Sequence, residues 1–296
     1  MGTLNSTIVN VALPVMSREM RVSINAVQWV ISSYLLTTVL LLLIFGKLSE
    51  FIGKKYIFAF GTLVFAIGSA LCALSRTLDV LTLSRIIQAV GTSGMFSMSM
   101  GIVSSIFPES ERGRALGIVG TMVAIGTIAG SSLGGILVSA FGWPSIFIIN
   151  VPIGIAGSIL SFIFMPEFSV RKKIKSFDII GTVSFSLFIL ILFLALLFTQ
   201  QNVLPTIYLI PSIIIALIFL LIFIKVEMRS KNPLLDLRLF KVKEFSFGLT
   251  AAYFCFIILD STMLFIPFYL QDILKLSARN CGLILSVYPI SMGIIA

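Results

Sequence analysis

Long apolar stretches separated by short charged turns run through almost the whole chain. An α-helix needs about twenty apolar residues to cross a bilayer. Stretches that can span in this way cover residues 26–46, 56–75, 80–106, 115–140, 143–165, 179–199, 206–225 and 247–271, and shorter ones lie at 1–17 and 278–296. The pattern predicts an all-α polytopic membrane protein in which the first and last helices are incomplete.

Composition and charge agree with that prediction. The 296 residues are 58% hydrophobic and 11% charged, which excludes a soluble globular protein with a polar shell. The net charge of +9 does not indicate nucleic-acid binding, because most lysines and arginines lie in alternate loops, as the positive-inside rule requires. We expect a multi-pass protein of the plasma membrane, with the lipid bilayer as its partner and a cytoplasmic N-terminus.

Neither catalysis nor metal binding is indicated. The chain has no histidine, and Cys72, Cys255 and Cys281 lack the paired spacing of a zinc site or a disulfide framework. No phosphate-binding glycine motif surrounds Gly46–Lys47 or Gly53–Lys54. We therefore expect no catalytic residue, no metal and no cofactor, and we do not expect an enzyme.

Polar residues in the first apolar segment form two groups. The segment reads LNSTIVNVALP over residues 4–14. Thr3, Thr7 and Asn10 share one helix face, whereas Asn5 points away from it. We expect one group to face a cavity and the other a neighbouring helix, and the spacing leaves open which group does which.

Arg85 and Asp260 are charged residues inside apolar segments. Such a charge costs on the order of 2.5–3.5 kcal/mol at mid-helix on insertion scales, so it avoids lipid and marks a functional position. Gln88 continues the helix face of Arg85. Because a carboxyl group in hydrocarbon is costly to ionise, Asp260 is the best candidate for a proton-exchanging group. Two alternatives stay open: Arg85 extending toward water near the outer interface, and a structural hydrogen bond for Asp260.

Gly126, Gly130 and Gly134 recur at four-residue steps within GTIAGSSLGG. Such a ridge lets two helix backbones approach closely, and many membrane proteins use one for packing alone. The sequence predicts a tight helix contact here.

These motifs resemble those of the major facilitator superfamily. GKLSEFIGKK, at residues 46–55, is similar to its pattern Gly-x-Leu-Ala-Asp-basic-x-Gly-basic-basic between helices 2 and 3, with Phe51 in place of a basic residue. LNSTIVNVALP resembles the helix-1 signature of the fourteen-span drug/proton antiporters, the EmrB/QacA group, with Asn5 where an aspartate is usual. An amide cannot titrate. If that aspartate binds protons or cationic drugs, this chain does so elsewhere.

Two further motifs carry the same resemblance. LSRIIQAVGTSG, at residues 83–94, is similar to the helix-4 motif with its embedded arginine, and GTIAGSSLGG to the helix-5 antiporter motif, with Ser131 where a proline is frequent. The resemblance implies four groups of site residues: proton coupling by Arg85 and Asp260; a substrate cavity with Asn5, Thr7, Asn10 and Gln88; conformational gating by Gly46, Glu50, Gly53, Lys54 and Lys55; and a helix-5 motif of Gly126, Gly130, Ser131, Gly134 and Gly135.

The resemblance also implies the domain organisation of a major facilitator fold. Residues 1–166 would form the N-terminal six-helix half, with helix 1 truncated. A basic linker and two extra membrane helices would occupy 167–226, and an amphipathic cytoplasmic loop 227–246. Residues 247–296 would begin a truncated C-terminal half, and a further C-terminal segment is expected as a partner.

The function implied is proton-coupled multidrug efflux by alternating access in the complete protein, with protons and small amphipathic or cationic compounds as ligands. Two alternatives stay open. One is a carrier for one specific solute, and the other is a truncated remnant that does not transport.

Overall fold

The computed structural model describes residues 1–166, 178–201, 203, 205–230, 232–274, 284, 287 and 291. Every regular element in that part of the chain is helical, which confirms the predicted all-α fold class. The α-helices are α1 (Gly2–Met20), α2 (Ile24–Ile52), α3 (Lys54–Leu74), α4 (Leu78–Ile106), α5 (Glu109–Phe141), α6 (Ser145–Ile148), α7 (Asn150–Phe164), α8 (Ile179–Gln200), α9 (Leu209–Arg229) and α10 (Lys243–Phe268). Short 3-10 helices cover Thr206–Tyr208 and Leu237–Lys241, and a π-helical turn covers Tyr269–Ile273.

Six helical stretches among the described residues are long and apolar enough to cross a membrane. They are α2, α3, α4, the continuous pair α6–α7, α8 and α9. The chain is therefore a membrane protein with several spans.

The helices extend beyond the apolar stretches that predicted them. α5 begins at Glu109, α9 continues to Arg229, and α10 already begins at Lys243. Long charged side chains at helix ends reach water while their backbone stays helical, so hydropathy alone places these ends too far inside the span. Residues 167–177 of the predicted linker and nearly all of the predicted segment 278–296 lie outside the described residues.

The stretch expected at 143–165 is divided into α6 and α7 at Ile149. Pro152 stands in the first turn of α7. Because proline has no N–H to donate to the carbonyl of Ile148, the helical hydrogen-bond pattern is interrupted at this point.

Glycines bring α3 and α4 into close contact. A Cβ at Gly61 would lie 2.9 Å from the carbonyl oxygen of Gly91, and one at Gly68 would lie 2.5 Å from the Cα of Gln88. α7 packs on the other side of α3, where a Cβ at Gly154 would lie 2.8 Å from that of Ala66. The short separation holds the polar side chains of α4 against those of α3.

α8 and α9 form a hairpin that packs on α2. The rings of Phe185 and Phe223 join the two helices, with centroids 5.2 Å apart. Trp29 and Phe198 join α2 to α8 at 5.7 Å, and Gln201 Nε2 donates to the carbonyl of Asn25 at 3.2 Å. The principal contacts of α10 are with the short helical segments that flank it.

Candidate functional site: a buried polar cluster around Arg85

Arg85 lies at the centre of the bundle and is only 1% exposed. Its Nε donates to the carbonyl of Val30 at 3.0 Å, and its Nη1 donates to Oε1 of Gln88. The guanidinium carbon lies 3.9 Å from the ring centroid of Tyr34 and 5.8 Å from that of Phe147. This burial excludes the alternative in which Arg85 extends toward water.

The guanidinium has no carboxylate partner in the part of the chain that the structure describes. Among the described residues, the ion pairs are Lys47–Glu50 and Arg112–Glu109, and Arg85 forms none. Hydrogen bonds to a charged group contribute about 1.5–3 kcal/mol each, and a desolvated cation–π contact contributes about 2 kcal/mol. Together these interactions are large enough to offset an insertion cost of order 3 kcal/mol.

Gln88 connects Arg85 to two other helices. While its Oε1 accepts from Arg85, its Nε2 donates to Ser69 Oγ on α3 at 2.7 Å and to Asn5 Oδ1 on α1 at 3.4 Å. Gly68 permits this arrangement because any larger residue would collide with the backbone of Gln88. Gln88 is thus the hub that joins α1, α3 and α4.

Asn5 and Asn150 complete the cluster on the side of α7. Asn150 Nδ2 donates to Asn5 Oδ1 at 3.3 Å and to the carbonyl of Ile146 at 3.2 Å. Both residues are fully buried, yet Asn5 Nδ2 and Asn150 Oδ1 have no hydrogen-bond partner among the described residues. Asn5 therefore lies in the same network as Arg85, one side chain away from it.

Tyr34 fixes the opposite side of the guanidinium. Its hydroxyl is 3.0 Å from Thr92 Oγ1, which in turn donates to the carbonyl of Gln88 at 3.1 Å. Tyr34, Ser69 and Asn150 are cluster members that sequence reasoning did not select, because a lone tyrosine, serine or asparagine gives little signal in an apolar helix. Thr92 lies seven residues beyond Arg85 and therefore on the same face of α4.

The remaining polar residues of α1 lie on other surfaces. The Thr7 hydroxyl donates to carbonyls within α1, at Thr3 and Leu4, each at 3.1 Å. Asn10 is exposed. Asn5 and Thr7 thus face different neighbours, as the helical spacing predicts, and both groups of polar residues contact neighbouring helices.

The glycine ridge of α5 packs on α1. A Cβ at Gly126 would lie 2.8 Å from Thr3 Oγ1, one at Gly130 would lie 2.9 Å from the Leu4 carbonyl and collide with Thr7 Oγ1, and one at Gly134 would lie 2.8 Å from Ile8 Cγ1. Gly135 has open space around it. The predicted close helix contact is confirmed, and the Ser131 side chain lies outside the described residues.

The turn between α2 and α3 depends on Gly53, whose φ of 101° is unfavourable for residues with a Cβ. Lys54 Nζ donates to the carbonyl of Gly101 at 3.0 Å and to Ser105 Oγ at 2.6 Å. A cation at the C-terminal end of α4 is favourable because carbonyl dipoles converge there. The turn is thereby attached to the end of α4.

Glu50 pairs with Lys47 in the same turn, at 3.1 Å, and its side chain is 45% exposed. Gly46 has no atom within 4 Å of a Cβ position. Lys55 is partly exposed. Glu50 is the exposed member of its ion pair at this end of the bundle.

Asp260 lies in α10, but its side chain is outside the described residues. Its relation to Arg85 is therefore a prediction from sequence. No group of three or more histidine, cysteine, aspartate or glutamate residues suited to a metal occurs within the described ranges.

Fold and site together define an all-helical, multi-span membrane protein with a buried cationic cluster inside its first bundle. The Major Facilitator Superfamily matches residues 1–296. The chain belongs to that family.

Curated relatives include transporters of different descriptions. The chain is 37% identical to the riboflavin transporter RibZ of Clostridioides difficile, over 100% of this chain and 64% of the relative. It is 36% identical to the putative multidrug resistance protein MdtD of Pectobacterium atrosepticum, over 99% and 63%. It is 30% identical to the multidrug resistance protein Stp of Mycobacterium tuberculosis, over 99% and 55%. The chain thus spans between half and two thirds of the length of these relatives.

Proposed function

We propose that the complete protein exports small molecules by proton-coupled alternating access across the plasma membrane, with its N-terminus in the cytoplasm. The observation that carries this proposal is the buried Arg85 cluster. It joins α1, α2, α3, α4 and α7 around one charge. A change in charge near Arg85 therefore alters the hydrogen bonds that connect these five helices. Such coupled polar networks inside membranes are typical of ion and proton pathways.

The proton-binding group in this proposal is Asp260. Asn5 occupies the position next to Gln88 and cannot exchange a proton. A carboxyl group on a different helix is then needed, and Asp260 lies in an apolar part of α10. Arg85 would favour the ionised form of an acid that approaches it, and separation of the two would favour proton uptake.

The charged turn at residues 46–55 is proposed to gate the transition. Lys54 attaches the turn to α4, the helix that carries Arg85. Glu50 is exposed enough to exchange Lys47 for a contact on another part of the protein. Gly53 forms the turn itself, Lys55 follows it at the start of α3, and Gly46 lies in the last turns of α2 before it.

The α8–α9 hairpin supports assignment to the fourteen-span antiporters. It packs on α2 beside the first bundle, as expected for two helices added between two halves. Small amphipathic or cationic compounds are the proposed substrates, and the relatives named for multidrug resistance support this class. Asn10, exposed on α1, is a proposed contact for them.

Transport by the full-length protein tests the proposal. Everted membrane vesicles with an acidic lumen should accumulate a fluorescent cation, because the direction of export points into the lumen. Arg85→Ala and Asp260→Asn should each reduce the rate at least about tenfold, equivalent to about 1.4 kcal/mol. Arg112→Ala is the matched control, because the contacts of Arg112 with Glu109 and with the Phe107 carbonyl are exposed and lie away from the Arg85 cluster. Gradient-driven rates equal to wild type in both variants would refute proton coupling through these residues.

A carrier for one specific solute is the second candidate. The relative described as a riboflavin transporter favours it, since it matches the whole chain at 37% identity. Competition distinguishes the two proposals. Saturable riboflavin transport that unrelated drugs do not inhibit supports the specific carrier, whereas mutual inhibition among chemically different drugs supports multidrug export.

A further inference from the structure

Two carboxyl groups lie together at the base of the α8–α9 hairpin. Asp178 is the N-cap of α8, and its Oδ1 accepts a hydrogen bond from the Gly181 amide at 2.7 Å. Glu227 lies in the last turn of α9, and its Oε1 accepts from the Leu234 amide at 3.1 Å. Each acid therefore uses one oxygen to hold backbone at the same end of the hairpin.

Gly181 shows how near the two groups are. A Cβ at that residue would lie 3.0 Å from Asp178 Oδ2 and 3.0 Å from Glu227 Oε1. These two oxygens are consequently no more than 6.0 Å apart. Two carboxylates at that separation repel each other.

Both groups also have an oxygen without a partner. Asp178 Oδ2 and Glu227 Oε2 are buried and accept no hydrogen bond among the described residues, and Glu227 as a whole is only 4% exposed. An ionised oxygen buried in this way loses its hydration without compensation. A bound proton would remove one of the two negative charges.

The surrounding cationic side chains disfavour a metal ion at this pair. Lys47 on α2 interacts electrostatically with Glu227 but donates its hydrogen bond to Glu50. Lys225 and Arg229 on α9 line an open pocket together with Asp178. Hard cations need six or more oxygen ligands, which two acids flanked by two cationic side chains do not supply.

Access and the remaining neighbours fit the same conclusion. Asp178 lines the pocket, so a proton can reach the pair from solvent through it. Asp236 is the N-cap of the 3-10 helix Leu237–Lys241, and its Oδ1 accepts a hydrogen bond from the Arg238 amide at 3.0 Å. Asp236 is exposed to solvent.

We propose that the carboxyl pair Asp178–Glu227 is a proton-binding site at the base of the hairpin. A proton taken from solvent forms an O–H bond on one carboxyl, and its release returns both groups to carboxylates. Asp178 caps α8, and Glu227 holds the loop at Leu234. Binding of the proton therefore changes the strength of the two hydrogen bonds that fix the base of the hairpin beside α2. This site is separate from the Arg85 cluster and does not depend on the transport proposal.

Infrared difference spectroscopy on the purified full-length protein in lipid nanodiscs tests the pair. The wild type should show a protonated-carboxyl C=O band at neutral pH that disappears on alkalinisation. Glu227→Gln and Asp178→Asn should each lose one carboxyl equivalent of this band, since either change removes the repulsion that retains the proton. Glu109→Gln is the matched control and should leave the band unchanged, because Glu109 is exposed and paired with Arg112, away from the pair.

Two outcomes overturn the proposal. A band that is unchanged in both variants shows that the pair holds no proton, and a band lost in Glu227→Gln but kept in Asp178→Asn shows that Glu227 binds it alone. Asparagine caps a helix as well as aspartate does, and Asp178→Ser provides a second capping variant should the first fail to fold. Transport is not part of the measurement, so its result is independent of whether Arg85 and Asp260 couple protons.

Discussion

The guanidinium of Arg85 lies against the ring of Tyr34, 3.9 Å from its centroid, and the two side chains are 1% and 2% exposed. The aromatic ring takes a position that an acid would take in a conventional buried ion pair. The ring and the backbone carbonyl of Val30 thus contact the charge where no carboxylate does among the described residues. The relationship between these two residues therefore leads to the first prediction.

Tyr34→Leu should destabilise the protein more than Tyr34→Phe. Phenylalanine retains the cation–π contact and loses the hydrogen bond to Thr92, worth about 1 kcal/mol. Leucine also loses the ring, worth about 2 kcal/mol when desolvated. Thermal unfolding of the purified protein, with chemical denaturation as a check, measures both. Equal stability of the two variants would show that the ring does not hold Arg85.

Asn5→Asp should be tolerated, and Asn5→Leu should not. Asn5 Oδ1 accepts from Gln88 and Asn150, and an aspartate oxygen accepts both bonds equally well. Leucine leaves two buried donors unpaired at about 1–3 kcal/mol each. Fluorescence-detected size-exclusion profiles after heating report the loss. If Asp and Leu behave alike, the two hydrogen bonds contribute little.

The aspartate variant has a second expected effect. It places a titratable group one side chain from Arg85, so transport by Asn5→Asp should acquire a pH dependence that the native chain lacks at this position. Rate measurements at a series of internal pH values, with Asn10→Asp as the control on the exposed face of α1, detect it. Identical pH profiles for wild type and Asn5→Asp would argue against a connection between Asn5 and the transport cycle.

Gly130→Ala should destabilise the α1–α5 contact, whereas Gly135→Ala should have no measurable effect. The added methyl group at Gly130 meets Thr7 and the Leu4 carbonyl, while nothing lies within 4 Å at Gly135. Overpacking of this kind typically costs about 1–3 kcal/mol. Unfolding temperatures of the two variants in one detergent give the comparison, and a smaller loss for Gly130→Ala than for Gly135→Ala would contradict the packing described.

Gly53→Ala should destabilise the turn between α2 and α3, and Gly46→Ala should not. The φ of 101° at Gly53 strains any residue with a Cβ by about 1–3 kcal/mol, and Gly46 is helical with free space around it. Limited proteolysis at the turn, together with unfolding temperature, separates the two. Equal protease sensitivity would show that the turn tolerates the change.

The sequence was sufficient to predict the surroundings of a residue where only one environment in a membrane protein is energetically acceptable. The glycines at 126, 130 and 134 required a close helix neighbour, and α1 is that neighbour. Arg85 in an apolar helix required shelter from lipid, and it is buried. Helix ends and the division at Ile149 were less well predicted, because hydropathy does not record where a charged side chain extends or where proline removes a donor.

The amino-acid sequence by itself determined the class of this protein. Its apolar runs are long enough to span a membrane and are separated by charged turns. Such runs cross a membrane as helices, because every backbone polar group must then be hydrogen-bonded within its own helix. Only the tertiary structure decided which polar residues meet. Asn5 and Asn150 are 145 positions apart and hydrogen-bonded, and Asp178 and Glu227 converge over Gly181. Such contacts depend on the rotation and depth at which helices pack, and these are set by small residues on several helices together rather than by any one segment.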